Sequence, residues 1–221
     1  MYSRAEKYLT VMCGLDRNTK LSQKTKENAI MVRDSLFHGT TTDFVIMPFD
    51  KSAISGDVFE FENIKIKCNA LSKIDYNSIC AGCAFMFHSP MPDLSKLPIS
   101  NIFLADSWET CFVDAGRDEL RERILKEYSE IHSGEYYITD TLAPGMSGMS
   151  SSSVRAFFEF MNFNSIGLKL LDSGMMTPVK SFVGIFLVLD RKYVTAQANC
   201  SECISNHIGC EYCKNYAERY M

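Results

Sequence analysis

The sequence predicts an α+β fold, and three observations carry that prediction. The first forty residues hold apolar positions at helical spacing, the stretches around residues 59–67 and 182–189 read as strands, and a second helical pattern lies between them. Of 221 residues, 46% are hydrophobic and 23% charged, with 15 Phe and 10 Tyr, which is enough bulk for a real core and excludes disordered and fibrous classes. The length suits one large domain, drawn over residues 1–195, followed by a Cys-rich tail over 196–221. Lys plus Arg (23) against Asp plus Glu (27) gives a net charge of −4, so no basic excess favours nucleic acid.

Taken in order, Ser3 to Cys13 and Ser22 to Leu36 are expected as two opening helices, the second carrying Ala29, Met31, Val32 and Leu36 on one face and stopping at His38-Gly39. Val45 to Met47 reads as a short strand. Phe59 to Glu62 and Lys65 to Lys67 alternate around Asn63, as in a strand or bulged ribbon. Asn77 to His88 is uncharged and rich in Cys, Ala, Phe and Met, an element buried on both faces for which periodicity does not separate helix from strand. Pro90, Pro92 and Pro98 mark Ser89 to Ser100 as a loop.

Asp114 is then expected to cap a long helix whose stripe of Leu120, Ile124, Leu125, Tyr128 and Ile131 packs on the sheet. From Asp140 to Val188 only six of 49 residues are charged, so this half is expected to be the more buried. Ser150 to Ser153 caps a helix through Val154, Phe157, Phe158 and Met161. Ile166 to Leu170 and Phe182 to Leu189 follow as strands joined by a turn around Pro178. The longest strongly apolar run, Ser181 to Leu189, is far shorter than a bilayer span, and residues 1–7 lack the apolar core of a signal peptide. The expected location is therefore cytoplasmic, with no membrane partner.

Nine cysteines in a reducing compartment point to metal or redox chemistry rather than disulfides. Cys200-x2-Cys203-x6-Cys210-x2-Cys213 is the sharpest pattern: the short loop lets four thiolates reach one centre, as structural zinc or an iron–sulfur cluster requires. His207 lies within that loop and reads as solvated. Cys80-x2-Cys83 sits in an apolar run where small thiols pack well, so core packing is the expectation there. His88 ends that run as a capped or solvated residue. The segment Asp106-Ser107-Trp108-Glu109-Thr110-Cys111 has no local signature of a nucleophile and its base, and Asp114 to Arg117 reads as a helix start. Gly145-Met146-Ser147-Gly148 is a loop where backbone could approach a ligand, because glycine removes the Cβ and leaves amides and carbonyls open.

One order of motifs resembles a known family. Ala143-Pro144-Gly145, a helix, Ile166-Gly167-Leu168-Lys169-Leu170, then Asp172-Ser173-Gly174-Met175-Met176-Thr177-Pro178 and Ser181-Phe182-Val183-Gly184 resemble the activation domain of cobalamin-dependent methionine synthase. That family carries an R-x-x-P-G-Y loop, an I-G-[MV]-x-L strand, a T-E-S-x-x-M-x-P turn and S-V-S-G entering a strand. The likeness is strongest over Thr141 to Leu189, with Ala105 to Arg117 similar to a segment of free-standing relatives.

The resemblance implies a helmet-shaped domain on a twisted, mainly antiparallel sheet flanked by helices. It also implies binding of S-adenosylmethionine near Thr141, Ala143, Gly145, Met146, Asp172 and Ser173, and docking on a corrinoid protein or methionine synthase that itself holds the cobalamin. No catalytic residue is assigned. The family arginine that grips the methionine carboxylate falls on Thr141, and the loop tyrosine falls on Met146. A hydroxyl cannot replace the paired charge-assisted bonds of a guanidinium, so S-adenosylmethionine is expected to bind weakly or not at all. Tight binding would need another cation, Arg117 or Arg155. An iron–sulfur cluster suits the low-potential electron that Co(II) reactivation requires; the readings beside this one are an iron–sulfur electron-transfer protein and a zinc-stabilised interaction module.

Overall fold

The computed structural model describes residues 1–38, 42–95 and 97–192. The Cys-rich tail, with Cys200, Cys203, Cys210 and Cys213, lies outside the described residues, as does Gly39. Helices α1 (Tyr2–Met12), α2 (Lys20–Leu36), α3 (Ile99–Ile131) and α4 (Val154–Phe160) combine with nine strands into an α+β fold. The strands are β1 (Phe44–Phe49), β2 (Ile54–Ser55), β3 (Val58–Phe61), β4 (Ile64–Lys67), β5 (Ile79–His88), β6 (Tyr137–Ile138), β7 (Lys169–Leu170), β8 (Met176–Thr177) and β9 (Ser181–Leu189). No helix among the described residues is long and apolar enough to cross a membrane.

The four-stranded sheet has the order β1-β5-β9-β6. Its two central strands are buried almost throughout, which explains their uninterrupted apolar runs: both faces need cover, so no polar alternation survives. The Asn77 to His88 ambiguity therefore resolves as strand. Asp190 donates to Ser78 O at one end of β5, and Ser89 donates to Lys180 O at the other, so β5 and β9 run antiparallel. Strands β2-β3-β4 form an antiparallel meander in which Phe61 faces Ile64 across a tight turn at Glu62-Asn63, where Glu62 has φ +54°.

The described chain divides into two compact units. Unit 1 comprises Met1–Val45, Met86–Ile124 and Phe163–Phe182; unit 2 comprises Ile46–Phe85 and Leu125–Asn162, and continues from Val183. In unit 1, α1, α2 and α3 bury Leu9, Val32, Phe37, Leu104, Trp108 and Phe112 together. Trp108 donates its indole N–H to Ala29 O at 2.8 Å, so its one polar atom is satisfied inside the core. Helix α2 starts at a capping box: Ser22 N donates to Thr19 Oγ1 at 3.1 Å and Thr19 N donates to Ser22 Oγ at 3.3 Å, a pairing worth about 1 kcal/mol. In unit 2, Phe49, Phe59 and Phe160 form a chain of tilted ring contacts, and Phe85 stacks on Phe186 at 4.6 Å.

The structure corrects four expectations. Helix α3 begins at Ile99, directly after Pro98, so Asp114 lies inside it and caps nothing; the carboxylate instead accepts from Arg117 Nη1 at 3.0 Å. The buried stretch of α3 is Leu104 to Leu120, not the Leu120 to Ile131 stripe, whose last member is 77% exposed. Its charged residues Asp106 and Glu109 disguised that buried stretch in the sequence. The strand expected over Ile166 to Leu170 shrinks to Lys169–Leu170, preceded by a 3-10 turn over Phe163–Ile166. Short β8 then pairs with β7 before β9 begins.

Candidate functional site

In unit 2, the edge strand β6 leads into the loop that carries the first four candidate residues. Tyr137 pairs with Leu189 and Ile138 with Val188, whereas Leu142 pairs with Ile185. The register therefore slips by one residue over 139–141, the signature of a β-bulge, a feature that re-aims side chains and clusters beside functional sites. Within the slip Thr139 N donates to Leu187 O, and Leu187 N donates to the Thr139 hydroxyl at 3.1 Å rather than to a main-chain carbonyl.

The loop lies hard against β9. A Cβ placed on Gly184 would meet Leu142 O at 2.9 Å, Thr141 Cγ2 at 3.1 Å and Ala143 Cβ at 3.3 Å, so only glycine lets the two segments approach this closely. Thr141 and Ala143 are buried. Beyond them the chain folds on itself: Met146 N donates to Ala143 O, Gly145 N to Met149 O, and Met149 N to Met146 O. Asn69 N and Ala70 N take up the carbonyls of Gly148 and Ser147. The expectation of open amides and carbonyls is thus corrected for Gly145 and Met146 N–H and for the Ser147 and Gly148 carbonyls, which the protein uses itself. Gly145 and Met146 remain exposed at the loop tip.

In unit 1, Asp172 and Ser173 lie in the connection between β7 and β8, and both are exposed. Leu171 N donates to Met175 O, Gly174 N to Leu171 O, and Met175 N to Ser173 Oγ at 3.4 Å, which gives a closed hairpin loop. The six predicted ligand residues therefore divide, four to unit 2 and two to unit 1. Arg117, the cation held in reserve, pairs with Asp114 and Asp118 and lies 5.9 Å from the Phe182 ring centroid. Met175 is exposed and Met176 is half-buried in β8.

The cysteines of the described region behave as packing residues. Cys80 and Cys83 lie three apart on β5, and an odd separation along a strand sends two side chains to opposite faces, so they cannot share a metal. Burial pushes the thiols of Cys68, Cys80 and Cys111 upward, which disfavours the reactive thiolate. No group of three or more His, Cys, Asp or Glu residues suited to a metal occurs among the described residues. His88 is held between two carbonyls, with Nδ1 2.6 Å from Ser89 O and Nε2 2.9 Å from Ile166 O.

One cluster escaped the sequence reading. Lys180 Nζ lies 3.0 Å from Asp106 Oδ1 and 3.0 Å from Thr110 Oγ1, on the α3 face that also carries Glu109. Burial, reinforced by the like charge of Asp106 and opposed by Lys180, pushes the Glu109 carboxyl up to about 7. The i, i+3, i+4 spacing of Asp106, Glu109 and Thr110 signals a shared face once the helix is known to start at Ile99. The partner Lys180, 70 residues further on from Thr110, has no local signal. Among known proteins, no family model and no curated sequence matches this chain.

Proposed function

We propose that the chain is a free-standing, helmet-shaped domain of the methionine synthase activation type, which docks on a corrinoid protein and supports cobalamin reactivation or methyl transfer. The observation that carries this reading is the close crossing of the Thr141 to Gly145 loop over Gly184. These are the two segments, some forty residues apart, that correspond to the family's ligand loop and its S-V-S-G strand entry. Their adjacency supports the register in which Pro144-Gly145 and Ser181 to Gly184 match.

The residues fit S-adenosylmethionine poorly. Thr141 is buried and uncharged, and its methyl group is turned to Gly184, so nothing at this position grips a carboxylate. Losing a charge-assisted pair costs about 1.5–3 kcal/mol, roughly ten- to a hundredfold in affinity. The chain's own contribution is then a docking surface with an exposed loop tip at Gly145 and Met146, and no chemical step is assigned to its side chains. Cys200, Cys203, Cys210 and Cys213 offer a donor set that fits zinc or an iron–sulfur cluster, the latter supplying a low-potential electron when bound.

The test is co-purification of the anaerobically prepared full chain with a corrinoid protein, alongside metal analysis and calorimetry with S-adenosylmethionine. We expect docking, metal that is lost in Cys200→Ser/Cys203→Ser, and affinity for S-adenosylmethionine weaker than micromolar. Failure to bind any corrinoid protein overturns the docking reading. Iron without docking would favour an electron-transfer protein, and zinc without docking an interaction module.

A further inference from the structure

The cations of unit 1 fall into two groups. Arg4 pairs with Glu122, Arg33 with Glu6 and Asp34, Arg117 with Asp114 and Asp118, and Lys180 with Asp106. Arg17, Lys20, Lys24 and Lys26 instead lie within ten successive residues that contain no carboxylate, in a chain whose net charge is −4. All four are exposed, and none of them pairs with a carboxylate among the described residues.

Their positions are fixed by the local backbone. Besides the capping box at Thr19 and Ser22, the Ser22 hydroxyl and Thr19 N both donate to Arg17 O, and the Arg17 side chain lies against Gly14. The charges work against the helix that carries them. Lys20 is the first residue of α2, at the positive end of its dipole, and no acidic residue stands in the first turn. Lys20 and Lys24 are like charges four residues apart, which also destabilises a helix. Neither helix stability nor an ion pair therefore accounts for this cluster. Leu21 and Met31, 77% and 56% exposed, accompany it. Lys20, Lys24 and Met31 share the outer face of α2, opposite the buried Ser22, Ala29 and Val32.

We propose that the outer face of α2 is a docking surface for an acidic protein segment, with Arg17, Lys20 and Lys24 pairing with its carboxylates and Leu21 and Met31 receiving its apolar side chains. Lys26 adds to the attracting field. Charge complementarity selects an anionic occupant, because four cations here lack a counter-charge. The exposed Leu21 and Met31 suit a protein partner better than a phosphate backbone, which offers them no apolar contact. The apolar stripe of α2 is spent on the core, which leaves none to lie in a bilayer. Two copies meeting at this face would set like charges together. The surface belongs to unit 1, whereas the loop tip at Gly145 and Met146 belongs to unit 2, so this proposal stands whether or not the corrinoid reading does.

The test is fluorescence anisotropy of the full chain with a short labelled peptide of Glu and Leu at helical spacing. Wild type should bind at about 20 mM salt and weaken about tenfold or more at about 200 mM. Lys20→Glu/Lys24→Glu should weaken binding at least about tenfold, and Leu21→Ser at least about threefold. Lys126→Glu/Lys169→Glu makes the same change in net charge elsewhere and should stay within about threefold of wild type. Lys20→Glu/Lys24→Glu should melt at or above the wild-type temperature, since it corrects the charge at the start of the helix. No binding by wild type, binding indifferent to salt, or equal losses in the two double variants would overturn the proposal. So would a melting temperature several degrees lower in Lys20→Glu/Lys24→Glu, which would mean that the cations serve the fold. A DNA duplex and phosphatidylserine vesicles form the remaining arms: tighter binding of either than of the peptide, lost in Lys20→Glu/Lys24→Glu, would overturn the assignment to an acidic protein segment.

Discussion

The loop of Thr141 to Met149 in unit 2 and the β7–β8 hairpin in unit 1 look alike in sequence, for both are short, glycine-containing turns flanked by apolar residues. Their physical situations differ. The loop buries Thr141, Leu142, Ala143 and Met149 and ties its main chain to residues 69 and 70 and to β9. The hairpin exposes Leu171, Asp172, Ser173 and Met175, and pairs Lys169 with Thr177 and Leu170 with Met176. The comparison teaches that a candidate ligand loop can be part of the sheet or a projection from it. Substitutions in the first should register strongly as lost stability, and substitutions at the exposed tip of the second should cost much less.

The largest effect we expect comes from attacking the bed of the buried loop. Gly184→Val would force a branched side chain into a space whose nearest atom is the Leu142 main-chain carbonyl, which has no rotamer with which to yield. Overpacking of this kind costs about 3 kcal/mol, at the upper end of its usual range, and chemical denaturation of the variant should show it. A loss below about 1 kcal/mol would mean that the loop lifts off β9 easily and that the contrast with the hairpin is false.

A smaller and pH-dependent effect belongs to unit 1. Because the folded-state carboxyl of Glu109 is raised, its contribution to stability is fully present below the unfolded value of 4.5 and is lost as pH rises through about 7. The full shift would be worth about 3 kcal/mol; partial exposure to water should reduce this to about 1–2 kcal/mol. Wild-type stability measured by urea denaturation should therefore fall between about pH 5 and pH 8 by this amount more than that of Glu109→Gln. Parallel curves for the two proteins would remove Glu109 from the account of this unit's stability.

The sequence made the helices α1 and α2, the strand β9 and the proline-rich loop before α3 legible, because each is written in local spacing or local breakers. It did not make the start of α3 legible, since Asp106, Glu109 and Asp114 interrupt the apolar pattern on a helix whose buried face is nonetheless Leu104 to Leu120. The site divides the same way. Gly145 stood out as a residue with a main-chain reason to be glycine, and Gly184 only as part of a resembled motif, whereas Lys180 reaches Asp106 and Thr110 only through tertiary structure. The slip of register at Thr139 to Thr141 was also invisible, because a bulge inserts one residue without changing the composition around it.

The mildest prediction separates strain from contact at the loop tip. Gly145 has φ +80°, a conformation that L residues adopt at a cost of about 1–2 kcal/mol, yet beyond its two chain neighbours no described residue has an atom within 4 Å of the place its Cβ would occupy. Gly145→Ala should therefore lose only about 1 kcal/mol, far less than Gly184→Val, and Gly145→Val somewhat more because its branched Cβ tolerates this conformation worse. Docking should rank the pair differently. If the exposed tip meets the corrinoid protein, Ala adds little bulk and should dock nearly as wild type, while Val should weaken docking by more than its loss of stability accounts for. Denaturation and binding measured on both variants decide the matter: equal docking by Ala and Val would show that the tip carries only a turn, and would move the proposed contact surface elsewhere on the protein.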